Sequence, residues 1–364
     1  MPVSLRPDHR DFALRLDSAL EQAGLRERAW SPLSVAGALG LVATGARGTT
    51  RRELEQLLGR DIRGHLAALD DAVSPGPELA ASTALWIRDD LPLLAEFDAA
   101  VRARPGSAVH TADFAGDPER VRRQANAEAA DVTRGLIEEP LLPGDVATST
   151  QALLLNALWV RMRWSEPFDT AATAPKPFRS PSGRRRVPMM RSRARRPYAA
   201  AAGWRMATLP AVHDLAMDVL LPDRPERGTA PTPDALAELY DRAAPADVDL
   251  SMPRFEARSR SALSQPVAAA GAPTAFTDRA DLTGVSPRPL RIDEVVHEAV
   301  LRADEKGAEG AAATAVVMRT VAAVTGKPVR FAADRPFAFV LRRRAAMLFL
   351  GSVAEPRDPG PARE

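Results

Sequence analysis

Small and apolar residues form the first strong pattern in the chain, the run SPLSVAGALGLVATG at positions 31–45. On a helix of this sequence the apolar side chains point in nearly every direction, which is typical of a helix buried on all sides. Ser31 is a favourable N-terminal cap, and Pro32 suits the first helical position. The pattern therefore predicts a buried helix over residues 31–45.

Two more helices are predicted in the first half of the chain. In GTTRRELEQLLG, Thr50 and Glu53 have the spacing of a capping box, the leucines form one apolar face, and Gly59 ends the helix. Residues 117–133 would form a polar helix with a thin apolar stripe, which is typical of a helix that lies on a surface.

Bulky apolar runs are the dominant pattern in the rest of the chain. Residues 152–164, ALLLNALWVRMRW, form a nearly continuous run that fits a strand covered on both faces, and residues 79–88 look similar. Residues 204–221 predict two strands around a turn, and residues 336–353 predict a hairpin. Because helices dominate the first third and strands the rest, the order favours an α+β fold over a doubly wound sheet.

The composition limits the possible classes of protein. The chain has 364 residues and no cysteine, so it can form neither a disulfide nor a thiolate metal site. Its net charge of +2 indicates no general attraction to nucleic acid. We find no signal-peptide core and no apolar run of about 18 residues. We therefore expect a soluble protein without membrane contact, cytoplasmic by default, with signal-independent export as the open alternative.

Local positive charge is concentrated in the segment RRRVPMMRSRARR, which holds seven arginines between Arg184 and Arg196. A polyanion or an acidic partner would dock on such a cluster. The alternative is an exposed hairpin beside a strand, with its arginines in solvent, and the pattern alone favours this second interpretation.

The residue patterns of conventional enzymes are missing. None of the five histidines belongs to an HExxH motif, because HEAVL at 297–301 lacks the second histidine. The sequence also lacks a GxSxG elbow, a phosphate-binding loop and a dinucleotide fingerprint. We therefore expect no catalytic residues, no metal and no cofactor.

Two polar residues interrupt apolar strands and need partners if they are buried. Asn156 lies in LLLNALW and His297 lies in EVVHEAVL. The two side chains either bond to each other across neighbouring strands or find separate backbone partners, and the pattern leaves both possibilities open.

A series of longer segments resembles the serpin family, in serpin order, from about residue 10 to residue 356. The segments are SPLSVAGALGLVATGARGTTRREL, NALWVRMRWSEPFD, VPMM, LPAVHDLAMDVLLPD, AFTDRADLTGVS, VVHEAVLRADEKGAEGAAATAV and FAADRPFAFVLRRRAAMLFLGSVAEP. The resemblance is to inhibitory members of the bacterial type. It implies one domain over residues 1–364, a monomer with three β-sheets, about nine helices and an exposed reactive-centre loop. Residues 357–364 would be a disordered tail.

The resemblance also assigns two regions of the large sheet. Trp164 corresponds to the tryptophan at the top of the sheet, where insertion begins, in the region called the breach. The region called the shutter lies lower, and there the family's asparagine and histidine hydrogen-bond across adjacent strands. This favours pairing of Asn156 with His297. The shutter residues are Ser31, Ser34, Asn156 and His297.

The reactive-centre loop is predicted over about 305–328 and begins with a hinge. Ala308 stands where threonine or serine is usual. Gly310 stands where alanine is usual, which reduces strand preference slightly. The predicted hinge residues are Glu305, Gly307, Ala308, Glu309, Gly310, Ala311, Ala312, Ala313 and Thr314.

The sequence of this segment is compatible with a buried strand. Side chains of a strand alternate between its faces. Between 308 and 319 every even-numbered residue is uncharged, whereas the charges of Glu309 and Arg319 lie at odd positions. No proline interrupts 304–327, so every residue there can donate to a sheet. One face could therefore be buried without burying a charge.

In the family the cleaved bond lies sixteen residues after the hinge glutamate, which gives Val321–Ala322 here. Valine suits the shallow apolar pocket of elastase-like or subtilisin-like proteases. Arg319–Thr320 is the alternative, and it would attract trypsin-like enzymes.

The leading hypothesis is a suicide inhibitor that traps a serine protease as a covalent acyl-enzyme by inserting the cleaved loop into the central sheet. A non-inhibitory serpin that acts as a binding module is the second hypothesis. An unrecognised hydrolase is the third, and the missing motifs argue against it.

Overall fold

A computed structural model of the chain describes residues 5–25, 27–73, 79–160, 162–308 and 327–360. Within these residues there are eight α-helices and sixteen β-strands. The helices are α1 (Pro7–Gln22), α2 (Pro32–Gly45), α3 (Gly48–Leu58), α4 (Ile62–Val73), α5 (Ala95–Arg102), α6 (Pro118–Val132), α7 (Pro233–Arg242) and α8 (Ser264–Ala269).

The strands divide between two large sheets and one small ladder. They are β1 (Arg28–Trp30), β2 (Leu79–Arg88), β3 (Ser107–Ala112), β4 (Ala152–Val160), β5 (Met162–Arg163), β6 (Ala174–Ser180), β7 (Gly183–Ala201), β8 (Trp204–Pro210), β9 (Leu215–Pro222), β10 (Ala244–Pro253), β11 (Phe255–Ala262), β12 (Glu294–Ala303), β13 (Gly307–Ala308), β14 (Val329–Ala332), β15 (Phe337–Arg343) and β16 (Ala346–Val353).

The five-stranded sheet has the order β11-β12-β4-β2-β3. Its central strand β4 is buried at all nine positions, as the continuous apolar run predicts. Strands β4 and β12 are parallel, whereas β4 runs antiparallel to β2 and β12 runs antiparallel to β11. Helix α2 contacts β2 and β4, and α6 also contacts these two strands.

The second large sheet has nine strands in the order β1-β16-β15-β9-β8-β7-β10-β14, with β6 paired to β7. Strand β7 is 19 residues long and pairs with β6, β10 and β8 along its length. It thereby joins what the resemblance predicts as two separate sheets into one. The predicted α+β class is confirmed, with eight helices in the described chain where the resemblance implies about nine.

Two helices illustrate how well local patterns can be read. Helix α2 is buried almost throughout, and the Ser31 hydroxyl accepts a hydrogen bond from the Ser34 N–H at 3.0 Å, as a cap does. The capping box predicted for α3 is wrong, because the helix begins at Gly48. Thr50 instead accepts from the Asp281 N–H, and the carboxylate of Glu53 accepts from the segment at Thr274.

One apolar core extends from the helices through both large sheets, and a smaller apolar cluster lies under α6. None of the helices in the described ranges is both long and apolar enough to cross a membrane. At the end of the chain, the Arg357 carbonyl accepts from the Glu256 N–H at 2.8 Å, and Asp358 lies 3.3 Å from Arg254. These contacts hold residues 357 and 358 against the start of β11.

Candidate functional site

The centre of the five-stranded sheet is only half closed. Strands β4 and β12 pair along four rows, residues 153–156 with residues 294–297. Above these rows, residues 298–303 pair with β11 on their other side, and residues 157–160 pair with β2. Within the described chain no ladder joins the upper halves of β4 and β12. Two strand edges therefore face each other with backbone groups that a further strand could pair with.

A short strand already occupies the top of this gap. After β12 the chain turns, and Gly307 and Ala308 of β13 pair antiparallel with Arg163 and Met162 of β5. The Asp304 N–H donates to the Gly307 carbonyl at 2.8 Å, which closes the turn. A Cβ at position 307 would collide with the Met162 carbonyl oxygen, so the close approach of the two strands requires glycine.

Trp164 fixes the other side of the turn. It is buried, its indole N–H donates to the Asp304 carbonyl at 2.8 Å, and its backbone N–H donates to the Lys306 carbonyl at 3.0 Å. Its ring packs edge-on against Phe168. The structure thus places Trp164 at the upper end of the gap, beside the first residues of the hinge.

Glu305 anchors the hinge from below the surface. Its side chain is 1% exposed, and Oε1 accepts a hydrogen bond from the Thr173 hydroxyl at 2.7 Å and lies 3.7 Å from Arg254 Nε. Its backbone carbonyl accepts from the Phe168 N–H at 2.8 Å. Glu305, the residue that begins the loop, is therefore held by one ion pair and two hydrogen bonds.

The carboxyl group of Asp304 shapes the same turn. It accepts from the backbone N–H groups of Lys306 at 2.8 Å and Gly307 at 3.0 Å. Burial raises the pKa of this carboxyl above its ordinary value, although these two hydrogen bonds oppose the shift. Protonation would weaken both bonds, so the ionised form stabilises the turn.

The shutter residues lie where the four paired rows end. Asn156 and His297 are partners in the last row, on adjacent parallel strands. The Nε2 atom of His297 accepts from the Ser31 N–H at 2.9 Å, which ties β12 to the first residue of α2. With the bond from Ser34 to Ser31, the buried helix and the sheet form one connected unit.

The predicted hydrogen bond between Asn156 and His297 is not formed. The histidine ring is turned toward Ser31, and its other nitrogen has no partner among the described residues. The amide group of Asn156 likewise has no hydrogen-bond partner in the described ranges, and it faces Thr83 on β2 as well as His297 on β12. Adjacency on neighbouring strands therefore did not bring the donor and acceptor atoms together.

Acidification is expected to weaken the fold at His297. Burial lowers the pKa of this histidine to about 4, below the value of about 6.5 in unfolded chains. The unfolded chain then binds more protons between these values, so stability falls as pH decreases from 6.5. The loss for this group increases toward a limit of about 1.4 kcal/mol per pH unit as the pH decreases. We expect His297→Gln to reduce the slope of unfolding free energy against pH between 6.5 and 5, measured by denaturant unfolding.

His9 provides an internal reference for this experiment. It is also buried, and burial lowers its pKa to about 3. It bonds to His65 and to the Met347 carbonyl rather than to a shutter residue, so its contribution to the slope remains in the His297→Gln variant. Equal slopes for the wild type and the variant would contradict the prediction.

Most of the predicted loop lies outside the described residues. The structure places Glu305 and Gly307 and the backbone of Ala308. The remaining hinge residues and both candidate bonds fall in the undescribed range, namely Glu309, Gly310, Ala311, Ala312, Ala313, Thr314, Arg319, Thr320, Val321 and Ala322.

The arginine cluster lies on the hairpin of β6 and β7 and continues along β7. Six of its seven members are exposed or half-buried. Two of these six form ion pairs with aspartates of β10. Arg191 lies 2.8 Å from Asp249, and Arg193 lies 2.6 Å from Asp247. Arg196 differs from the others because it is 4% exposed.

Arg196 is a buried cation with few partners. One nitrogen donates to the Ser192 hydroxyl at 2.9 Å, and the other two have no partner in the part of the chain that the structure describes. Burial lowers the pKa of its guanidinium, and the charge of Glu166 opposes this shift. The side chain therefore costs free energy at this position.

Replacing this cation with an apolar side chain is expected to stabilise the protein. Arg196→Met should raise the free energy of unfolding by about 1–4 kcal/mol, because apolar residues of similar volume often stabilise such sites. The measurement is denaturant unfolding. Arg195→Met, at the exposed neighbouring position, is the control and should change stability by less than about 0.5 kcal/mol. A loss of stability in Arg196→Met would show that the charge is compensated.

Sequence reasoning missed the partners of Glu305. Thr173 and Arg254 are 132 and 51 residues away along the chain, so no local pattern connects them to the hinge. The sequence signal that could have revealed these partners is the glutamate itself, since a glutamate that begins a buried turn needs a partner.

No group of three or more histidine, aspartate or glutamate side chains that could hold a metal ion occurs in the described ranges.

Comparison with known proteins gives consistent matches over nearly the whole chain. Residues 8–356 match the family model described as serpin (serine protease inhibitor). The chain is 30% identical to Iris of Ixodes ricinus over 89% of this chain and 91% of that protein. It is 31% identical to the leukocyte elastase inhibitor of Sus scrofa over 95% of this chain and 97% of that protein.

Among solved structures, uncleaved ovalbumin has the same fold, with a TM-score of 0.84 at 22% identity over 97% of this chain and 100% of that chain. The two organisms named for the sequence relatives are eukaryotes. These relatives therefore give no support to the bacterial-type assignment.

Proposed function

Because the chain belongs to the serpin family, we propose that it inhibits a serine protease as a suicide substrate. Serpins are protease inhibitors rather than enzymes, and loop insertion is an established transition of the family. The protease attacks the exposed loop and forms an acyl-enzyme, which is an ordinary step of its own catalysis. The cleaved loop then enters the sheet before deacylation is complete, and the protease remains covalently attached.

The half-closed centre of the five-stranded sheet is the observation that carries this proposal. Residues 298–303 of β12 and residues 157–160 of β4 have no mutual ladder in the described chain, and β13 stands at the top of the space between them. A strand that continues β13 downward would pair with both edges. The uncharged even-numbered residues between 308 and 318 suit the face that such a strand buries.

Insertion also supplies the free energy that trapping requires. Each new ladder hydrogen bond contributes about 0.5–1.5 kcal/mol, so ten of them contribute roughly 5–15 kcal/mol. The native state is then metastable and is maintained by a kinetic barrier. We infer that the bond from Ser31 to His297 is part of this barrier, because the four paired rows end at His297 and must open for full insertion.

The proposed bait is Val321–Ala322, with Arg319–Thr320 as the alternative. The leukocyte elastase inhibitor of Sus scrofa is named for an elastase, and valine suits the shallow apolar pocket of elastase-like or subtilisin-like enzymes. The proposed partner is thus an apolar-selective serine protease, bound covalently to a monomer of this chain.

A panel of serine proteases tests the proposal. Elastase-like, subtilisin-like and trypsin-like enzymes are incubated with the protein, and complexes that resist SDS are scored on gels. We expect a complex with an elastase-like or subtilisin-like enzyme, and mass spectrometry should find a released fragment that starts at Ala322. Cleavage by every protease without any SDS-resistant complex would contradict inhibition and would favour the non-inhibitory binding module.

A further inference from the structure

A mixed charge pattern covers the outer face of three neighbouring strands, β7, β10 and β14. Arg193, Asp249 and Arg330 are partners in one row across these strands, and Arg195 opposes Asp247 in the next row. The arginines of this face are exposed, as is Arg191 one row further. We define these residues as the strand-face patch: Arg191, Arg193, Arg195, Arg330, Asp247 and Asp249.

Ion pairs inside the patch neutralise only half of its cations. Arg191 pairs with Asp249 and Arg193 pairs with Asp247, and the guanidinium hydrogen bonds lower the pKa of both carboxyl groups. Arg195 and Arg330, on opposite sides of the aspartates, form no ion pair within the described residues, although the charge of Arg330 also lowers the pKa of Asp249. Two strand spacings and a two-residue offset separate their Cα atoms by about 12 Å.

This arrangement fits a folded acidic protein better than a linear polyanion. The aspartates lie between the arginines, so a uniformly charged chain that followed the face would meet like charges. A folded partner can place two acidic groups opposite Arg195 and Arg330 and leave the paired centre alone. The ion pairs also hold Arg191 and Arg193 in place, which keeps the face ordered.

The position of the patch indicates that the folded partner is the target protease. Strand β14 begins at Val329, three residues after the undescribed part of the loop, so Arg330 is nine residues from the proposed bait at Val321. Nine residues span at most about 30 Å. A protease domain of about 230 residues has a radius of gyration of about 17 Å. A protease that holds the bait is therefore large enough to reach the patch.

We infer that the strand-face patch is a second docking surface for the target protease, and that it selects enzymes with two acidic groups beside the active-site cleft. This inference rests on the proposed function. Opposite charges at the edge of an interface mainly accelerate association, and steering raises on-rates by about tenfold or more at low salt. The patch would then set which protease is captured fastest, while the loop sets which bond is cut.

The test measures the rate at which intact protein disappears with two elastase-like proteases of opposite net charge, at low and high salt. This readout counts complex formation and simple cleavage together. For the acidic protease we expect the double variant Arg195→Glu with Arg330→Glu to lower the rate about tenfold at low salt and to flatten its salt dependence. The basic protease should react no more slowly with this variant. The fraction of reacted protein found in SDS-resistant complex should not change.

A double variant with the same charge change elsewhere is the matched control. Arg60→Glu with Arg63→Glu lies at the exposed start of α4 and should leave the rate within about twofold. An equal loss in both double variants, or no loss in the patch variant, would overturn the inference. So would loss of binding to a sulfated polysaccharide column with an unchanged protease rate, since the patch would then be a polyanion site. Absence of any SDS-resistant complex would contradict the proposed inhibition, and the rates would still test the patch.

Discussion

Thr314→Arg is expected to convert the inhibitor into a substrate of its target protease. Thr314 is even-numbered, so in an inserted strand its side chain faces the core that the sheet covers. A charge buried there costs several kcal/mol, and each 1.4 kcal/mol on the barrier slows insertion about tenfold. Deacylation would then precede insertion. We expect the moles of inhibitor consumed per mole of protease to rise at least about tenfold, measured by titration of protease activity.

Ala315→Arg is the matched control for this variant, because the same side chain is placed one residue further on the opposite face. It should remain largely inhibitory, with an SDS-resistant complex as the main product. If both variants lose inhibition equally, the alternation of faces does not govern insertion. If neither does, residue 314 does not enter the core.

Glu305→Lys is expected to destabilise the native protein by about 3–5 kcal/mol, the usual cost of leaving a buried charge without its partner. The side chain is buried, and the new ammonium group would lie beside Arg254 and lose the hydrogen bond from Thr173. The anchor of β13 would be released at the same time. The rate of unfolding in denaturant should rise by a factor of about 100 or more.

Glu305→Gln separates the charge from the hydrogen bond. Glutamine has nearly the same size and can still accept from the Thr173 hydroxyl, so it should cost about 1–3 kcal/mol. Equal unfolding rates for the lysine and glutamine variants would show that repulsion from Arg254 contributes nothing. The two variants together would measure how firmly the hinge is held before cleavage.

Patterns within one element predicted the fold well. The strand predicted at 152–164 is observed as β4, buried at all nine positions, followed by the short β5, and residues 79–88 form β2 over their whole length. The buried helix over 31–45 needed only its composition and its cap. These features depend on neighbours along the chain, which a sequence displays directly.

Features that depend on residues distant in sequence were harder to predict. The capping box at Thr50 and Glu53 failed because both side chains bond to the segment near residue 280 instead. Asn156 and His297 were correctly matched to neighbouring strands, yet the ring orientation is decided by the N–H of Ser31. The partial ladder between β4 and β12 depends on the distance between the two strands. No pattern of residues within either strand predicts that distance.

Under the proposed mechanism, the direction of the central strands would give insertion a further thermodynamic bias. Strands β4 and β12 form a parallel ladder of four rows, whereas β13 runs antiparallel to β5. A strand that continues β13 would be antiparallel to both of its neighbours. Insertion would therefore exchange one short parallel contact for two antiparallel ones, which are slightly more stable per residue. Under the proposed mechanism, the native strand order is therefore the less stable one, and the inserted loop would restore antiparallel alternation at the centre of the sheet.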